Sequence, residues 1–90
     1  MRIAIVDDLA GDRALLRERL ERQLQRRSVQ ADLLEFESGE AFLAVEREQR
    51  FTAAFLDVYM TGMSGVDAAK ELRTFDTDCL LIFTTTSTDH

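Results

Sequence analysis

Asp7 and Asp8 directly follow the apolar run Ile-Ala-Ile-Val at positions 3–6, and Asp57 directly follows the run from Phe51 to Leu56. A single acid at the end of an apolar run is ordinary, because strand ends are solvated. Three are informative if the fold brings the two runs side by side. Gathered carboxylates raise one another's pKa values, so a bare cluster is unfavourable. A hard divalent cation relieves the repulsion, and oxygen-only ligands with room for water suit Mg²⁺. The remaining inventory narrows the chemistry. The single His is the terminal His90, Cys79 is alone, and neither acidic loop carries a glycine-rich phosphate cradle. Hydrolases of the Ser-His-Asp or Cys-His type and a zinc centre therefore lack their ligands. A cation beside a carboxylate that can act as nucleophile fits phosphoryl transfer to aspartate, with the metal neutralising the phosphoryl oxygens and Asp57 attacking in line.

The elements that would position these acids can be read along the chain. Arg2 to Val6 is a short run rich in β-branched residues and predicts a buried strand. Asp12 is placed to cap a helix whose Leu16, Leu20 and Leu24 share one face, with Leu15 beside them and arginines opposite, ending near Arg27-Ser28. Asp32 to Phe36 predicts a second strand. Ser38 opens a helix through Phe42, Leu43, Val45 and Glu46. Phe51 to Leu56 predicts a third strand. A loop holding Gly62 and Gly65 leads into a helix from Val66 to about Phe75, and Leu80 to Thr85 predicts a fourth strand.

The order βαβαβαβ, with strands apolar on both faces, implies a parallel sheet covered on both sides, and right-handed crossovers make it a doubly wound α/β domain. Parallel strands point their C-terminal ends to one edge, where ligands bind. In the flavodoxin-like strand order 2-1-3-4 the first and third strands are neighbours, about 5 Å apart, so Asp7, Asp8 and Asp57 would meet. The domain would end on a strand with no helix after it, leaving one face near that strand without cover.

Composition sets the remaining bounds. The chain has 90 residues, enough for one domain, with 17 acids against 11 bases and a net charge of −6. Residues 13–27 hold six arginines and two glutamates, so the rest of the chain is more acidic still. Such a balance is poor for gripping nucleic acid through its phosphates. The arginine-rich helix reads as a solvated face. No apolar run approaches the ~20 residues that cross a bilayer, and no signal peptide opens the chain, so a cytoplasmic protein without a membrane partner is expected. Cys79, opening the run Cys-Leu-Leu-Ile-Phe, reads as an inert core thiol, and Met60 and Met63 as loop packing.

Val-Asp-Asp at 6–8, Phe-Leu-Asp-Val-Tyr-Met at 55–60, Gly-Met-Ser-Gly at 62–65 and Leu-Ile-Phe-Thr-Thr at 81–85 resemble the receiver domain of two-component response regulators, with a CheY-like fold. The stretches 38–43 and 82–85 are most similar to receivers that precede LytTR-type DNA-binding domains. The resemblance covers essentially the whole chain. It implies that Asp57 is the phosphoacceptor, that Asp8, Asp57 and the backbone carbonyl of Tyr59 hold Mg²⁺, and that Asp7 acts mainly through a metal-bound water. It implies a switch hydroxyl on Thr85, with Thr84 and Thr86 as rivals. It further implies a histidine kinase as phosphodonor, docking at the first helix, where the arginines could tune partner choice. The domain would promote its own phosphorylation without being an enzyme on other substrates, and would touch DNA only through an output domain that is absent here.

Two departures accompany the resemblance. The position four after the acceptor is usually proline in the family and is Thr61 here, which should loosen the loop because a fixed φ is lost. The family also continues with a helix, a fifth strand preceded by a phosphate-pairing lysine, and a final helix. The chain thus reads as residues 1–90 of a receiver incomplete at its C-terminus, without the catalytic lysine, and its exposed fourth strand suggests self-association. Two other classes remain open. One is a non-phosphorylated dimerisation module, which would not need the acidic trio. The other is an aspartate-nucleophile phosphatase, which wants an acid where Tyr59 stands.

Overall fold

The computed structural model describes residues 1–85. Its strands are β1 (Arg2–Val6), β2 (Asp32–Phe36), β3 (Ala53–Asp57) and β4 (Leu80–Thr84), and its helices are α1 (Ala10–Arg26), α2 (Gly39–Glu48) and α3 (Gly65–Leu72). All strand pairs are parallel, in the order β2-β1-β3-β4 expected from the sequence. Alternation divides the sheet into two unlike faces. Ala4, Val6, Ala54 and Leu56 pack with Phe42, Leu43, Ala68 and Leu72 of α2 and α3 into the main core. Phe36, Phe42 and Phe51 close its end as an aromatic cluster with ring centroids 5.6–5.8 Å apart. Ile3 and Ile5, buried on the opposite face, are left to α1.

α1 is the least embedded element. None of its residues is fully buried, Leu16, Leu20 and Leu24 are half-buried, and Leu15 is exposed rather than part of a core stripe. Ion pairs complete its attachment: Glu35 of β2 receives Arg13 at 3.2 Å and Arg17 at 2.9 Å. The arginines are therefore not a purely solvated face, because two of them staple the helix to the edge strand. Uncovered apolar surface lies on both faces of β4, where Leu80 and Phe83 are exposed, and not on one face alone as the sequence suggested.

Several boundaries differ from the sequence reading, each for a local reason. α1 begins at Ala10 with Leu9 at the cap position, so Asp12 is not a cap but an acid inside the first turn, where it still complements the helix dipole. The helix ends at Arg26, after which Ser28 takes a left-handed φ of 54° and the Val29 N–H returns to the Leu24 carbonyl at 2.9 Å. Ser38 caps α2 as expected, its hydroxyl accepting from the Ala41 N–H at 3.1 Å. β3 starts at Ala53 rather than Phe51, because the Phe51 N–H is given to Glu46 Oε1 at 2.8 Å. α3 starts at Gly65, capped by the Ser64 hydroxyl, and stops at Leu72, since the N–H groups of Thr74 and Phe75 bond three residues back and tighten the chain out of the helix. β4 ends one residue before Thr85.

Candidate metal and phosphoacceptor site

β1 and β3 are adjacent and in register, Val6 lying opposite Leu56, so the acids that follow them meet at the C-terminal edge of the sheet. Oxygen atoms of Asp7, Asp8 and Asp57 all lie within 4.8 Å of one another. Asp7 is 3% exposed and Asp57 1%, while Asp8 is half-buried. Each accepts a backbone N–H. Leu9 donates to Asp7 Oδ1 at 2.9 Å, Tyr59 to Asp57 Oδ1 at 3.2 Å, and Thr61 to Asp8 Oδ2 at 3.0 Å.

The electrostatics show what this gathering costs. Burial, the largest cause, pushes the Asp7 carboxyl from 3.8 up to about 6; the Leu9 N–H opposes the rise, and the charges of Asp57, Asp12 and Asp8 add to it. The donor set is oxygen only and clustered, which is the environment a hard divalent cation relieves. The residues present fit Mg²⁺ on that ground. A zinc-type site at these acids would lack nitrogen and sulfur ligands.

Supporting contacts hold the two strand ends. Arg13 Nη1 donates to the Asp7 carbonyl oxygen at 2.6 Å while its Nε reaches Glu35, so the turn carrying Asp7 and Asp8 is pinned from α1 and β2 together. On the other side, the Gly65 N–H bonds the Val58 carbonyl at 3.2 Å, and a Cβ at position 65 would collide with the Asp57 carbonyl oxygen. Glycine is required there by this close approach to the acceptor strand. Met60 and Met63 pack against the core, as expected of loop packing.

The structure brings together Asp7, Asp8 and Asp57 as the spacing led one to expect. Tyr59 sits in the loop after β3 with its residue 69% exposed, so its ring leaves the cluster open. Thr84 is the register partner of Asp57, and its carbonyl accepts the Val58 N–H at 2.9 Å. Thr85 follows immediately and is exposed, lining a shallow cleft with Asp12, Leu15 and Arg19 of α1. The rival Thr86 and His90 lie outside the described residues. Two contributors went unread in the sequence. Arg13 is one of many arginines in its segment, and only the end of β2 singles it out. The Thr61 contact is made by backbone N–H, which every residue except proline owns; the expected loosening of this loop is thus offset by a tether to Asp8.

The family model for the response regulator receiver domain matches residues 3–90. The chain is 38% identical over 73 residues to the virulence sensor protein BvgS of Bordetella pertussis, covering 81% of this chain and 5% of that protein. It is 34% identical over 79 residues to the sensory transduction protein LytT of Oceanobacillus iheyensis, covering 86% of this chain and 32% of that one. The chain therefore spans a third or less of the curated relatives it matches. Among solved structures, the response regulator TrrA of Thermotoga maritima with Mg²⁺-BeF superimposes with a TM-score of 0.82 at 30% identity, covering 97% of this chain and 70% of that one. The same regulator in complex with the histidine kinase ThkA gives 0.70 at 30% identity, covering 99% and 72%. No described helix is long and apolar enough to cross a membrane.

Proposed function

The chain belongs to the response regulator receiver domain family, and we propose on that premise that Asp57 accepts a phosphoryl group from a histidine kinase. The observation that carries this reading is the convergence of Asp7, Asp8 and Asp57 within 4.8 Å at one sheet edge, with Asp57 almost fully buried. An Asp57 carboxylate oxygen attacks the phosphorus of a phosphohistidine in line. The P–N bond breaks, its electron pair stays with the imidazole nitrogen, and an acyl phosphate forms. Asp8, Asp57 and the Tyr59 carbonyl are the proposed holders of Mg²⁺, with Asp7 acting through water. When bound, the cation supplies positive charge against the phosphoryl oxygens.

Asp7 and Asp8 then keep the acceptor's surroundings anionic enough to retain that cation, and Arg13 fixes the turn they share. Thr85, one residue beyond Asp57's register partner, is the proposed switch hydroxyl. The added charge of about −1.5 to −2 would bias two receiver states. The kinase reading is supported by the likeness to TrrA, whose structure with ThkA is a regulator–kinase complex. The likeness to part of the sensory transduction protein LytT supports a place in a longer signalling protein, whose proposed output is DNA binding. A cytoplasmic address and self-association through the exposed β4 surface complete the proposal.

The test is intact-protein mass after incubation with acetyl phosphate and Mg²⁺. One phosphoryl adduct is expected on the wild type and none on Asp57→Asn. An adduct that persists on Asp57→Asn would refute the assignment of the acceptor.

A further inference from the structure

The three acids do not take their backbone donors alike. Asp7 and Asp57 each accept from the residue two positions on, Leu9 and Tyr59, so those carboxylates are oriented within their own strand-end turns. Asp8 accepts instead from Thr61, 53 residues away in the loop between β3 and α3. Asp8 is also the half-buried member of the trio, whereas Asp7 and Asp57 are held by their burial. Its side chain therefore depends more on this one contact for its orientation. The Thr61 residue is itself exposed, so its contribution to the site is the N–H. Gly62 follows with φ +82°, the left-handed turn that lets the loop continue past that contact.

We propose that the backbone N–H of Thr61 is a positioning group for the cation site: it holds Asp8 in place beside Asp7 and Asp57 and ties the loop carrying Tyr59 to the end of β1. The inference rests on the cation reading of this site given above. A carboxylate oxygen has two lone pairs, so Asp8 can keep the Thr61 N–H while serving as a ligand. Hydrogen bonds that orient ligating carboxylates commonly govern metal affinity by 10–100-fold. Cation occupancy and loop position are then linked, since anything that fixes Asp8 also fixes the loop from Tyr59 to Gly62.

Only proline removes a backbone N–H without removing the residue. The experiment uses the full chain, titrating Mg²⁺ by amide NMR in wild type, Thr61→Pro and Thr61→Ala, with metal-free thermal melts alongside. Thr61→Pro is expected to weaken Mg²⁺ binding about tenfold. Thr61→Ala, which keeps the N–H, should restore affinity to within about twofold of wild type. The metal-free melts should separate Thr61→Pro from wild type far less than the affinities do.

Thr61→Pro binding within about twofold of wild type overturns the proposal. So does Thr61→Ala losing as much affinity as Thr61→Pro, because the side chain would then be responsible. If Thr61→Pro does not fold, amide exchange of Thr61 decides: protection that rises with Mg²⁺ and disappears in Asp8→Ala supports the proposal, and free exchange in the wild type overturns it. A wild type that binds no Mg²⁺ while Asp8 still protects the Thr61 amide overturns the cation reading itself, and this inference with it. That outcome is distinguishable from a failure of the tether alone.

Discussion

Replacing Asp7 by asparagine should make the metal-free protein more stable. Asp7 is 3% exposed, and its carboxyl is pushed from 3.8 to about 6, chiefly by burial. Folding therefore takes up a proton at this residue between those two values. The stabilisation due to protonated Asp7 is fully present below the unfolded pKa and is lost as the pH rises through about 6. At 1.36 kcal/mol per unit, the ionised side chain costs the fold about 3 kcal/mol above pH 7, and about 1 kcal/mol at pH 4.5. Asparagine keeps an oxygen to accept the Leu9 N–H and carries no charge. Asp7→Asn in EDTA at pH 7.5 is thus expected to gain about 3 kcal/mol, a rise of roughly 10–20 °C in Tm for a domain of this size. The gain should shrink to about a third of that at pH 4.5. Urea melts followed by circular dichroism at the two pH values measure both quantities. A neutral or destabilising Asp7→Asn at pH 7.5, or a gain that does not shrink on acidification, would refute the reasoning. With Mg²⁺ the order should narrow or invert, because the wild type alone retains the full ligand set and is stabilised by binding.

A second buried carboxyl pair lies at the opposite edge of the sheet, where Glu46 and Asp76 sit 0% and 7% exposed. Burial first, then the bond to Asp76, raises the Glu46 pKa, against the pull of the Phe51 N–H. For Asp76 burial acts upward but is outweighed by hydrogen bonds from Glu46 and from the N–H groups of Asp78 and Cys79. The two carboxyls are shifted in opposite directions, Glu46 upward and Asp76 downward, and Asp76 Oδ2 is left without a hydrogen-bond donor. Glu46→Gln, which supplies that donor at any pH and keeps an acceptor for Phe51, should be neutral or stabilising at pH 8, whereas Glu46→Ala should cost about 3 kcal/mol in a urea melt by stranding both partners. Exposed Leu80 and Phe83 on β4 should drive self-association: light scattering is expected to give a mass above the monomer at tens of micromolar, reduced in Phe83→Ser, and a monomeric wild type would count against it.

The strand order and the meeting of the acids were legible because they depend on period, apolar runs and chain direction, all of which are local or topological. Val6-Asp7-Asp8 and Leu56-Asp57 carry the site in their own wording once β1 and β3 are known to be neighbours. Helix ends were harder, since Asp12 and Leu9 compete for the cap and the outcome turns on where the chain leaves β1. The supports were the least legible. Arg13 earns its place through Glu35, 22 residues away, and Gly65 through the Asp57 carbonyl, neither of which any window of sequence contains. Thr61 illustrates the limit most sharply, because its contribution comes from an atom common to nineteen residue types, and side-chain identity carries no signal for it. Cys79 was simpler: burial pushes its thiol up to about 11, and it is 2% exposed, in keeping with an inert core thiol.

The cost at Asp7 and the tether at Thr61 belong to one physical problem. A sheet edge can hold three carboxylates only if their charge is answered, and the Arg13 guanidinium beside them is engaged by the Asp7 carbonyl and Glu35. The described residues answer instead with backbone N–H groups from the two loops that leave β1 and β3. Such dipoles orient the acids but only partly offset burial and mutual repulsion, and the Asp7 carboxyl stays raised to about 6, chiefly by burial. A hard divalent cation would answer the charge that remains. Because the donors are loop backbone, Asp57 and Asp8 each hold one point of the loop after β3, at Tyr59 and at Thr61. On the proposed reading, a phosphoryl group on Asp57 would act on this loop through the same backbone donors.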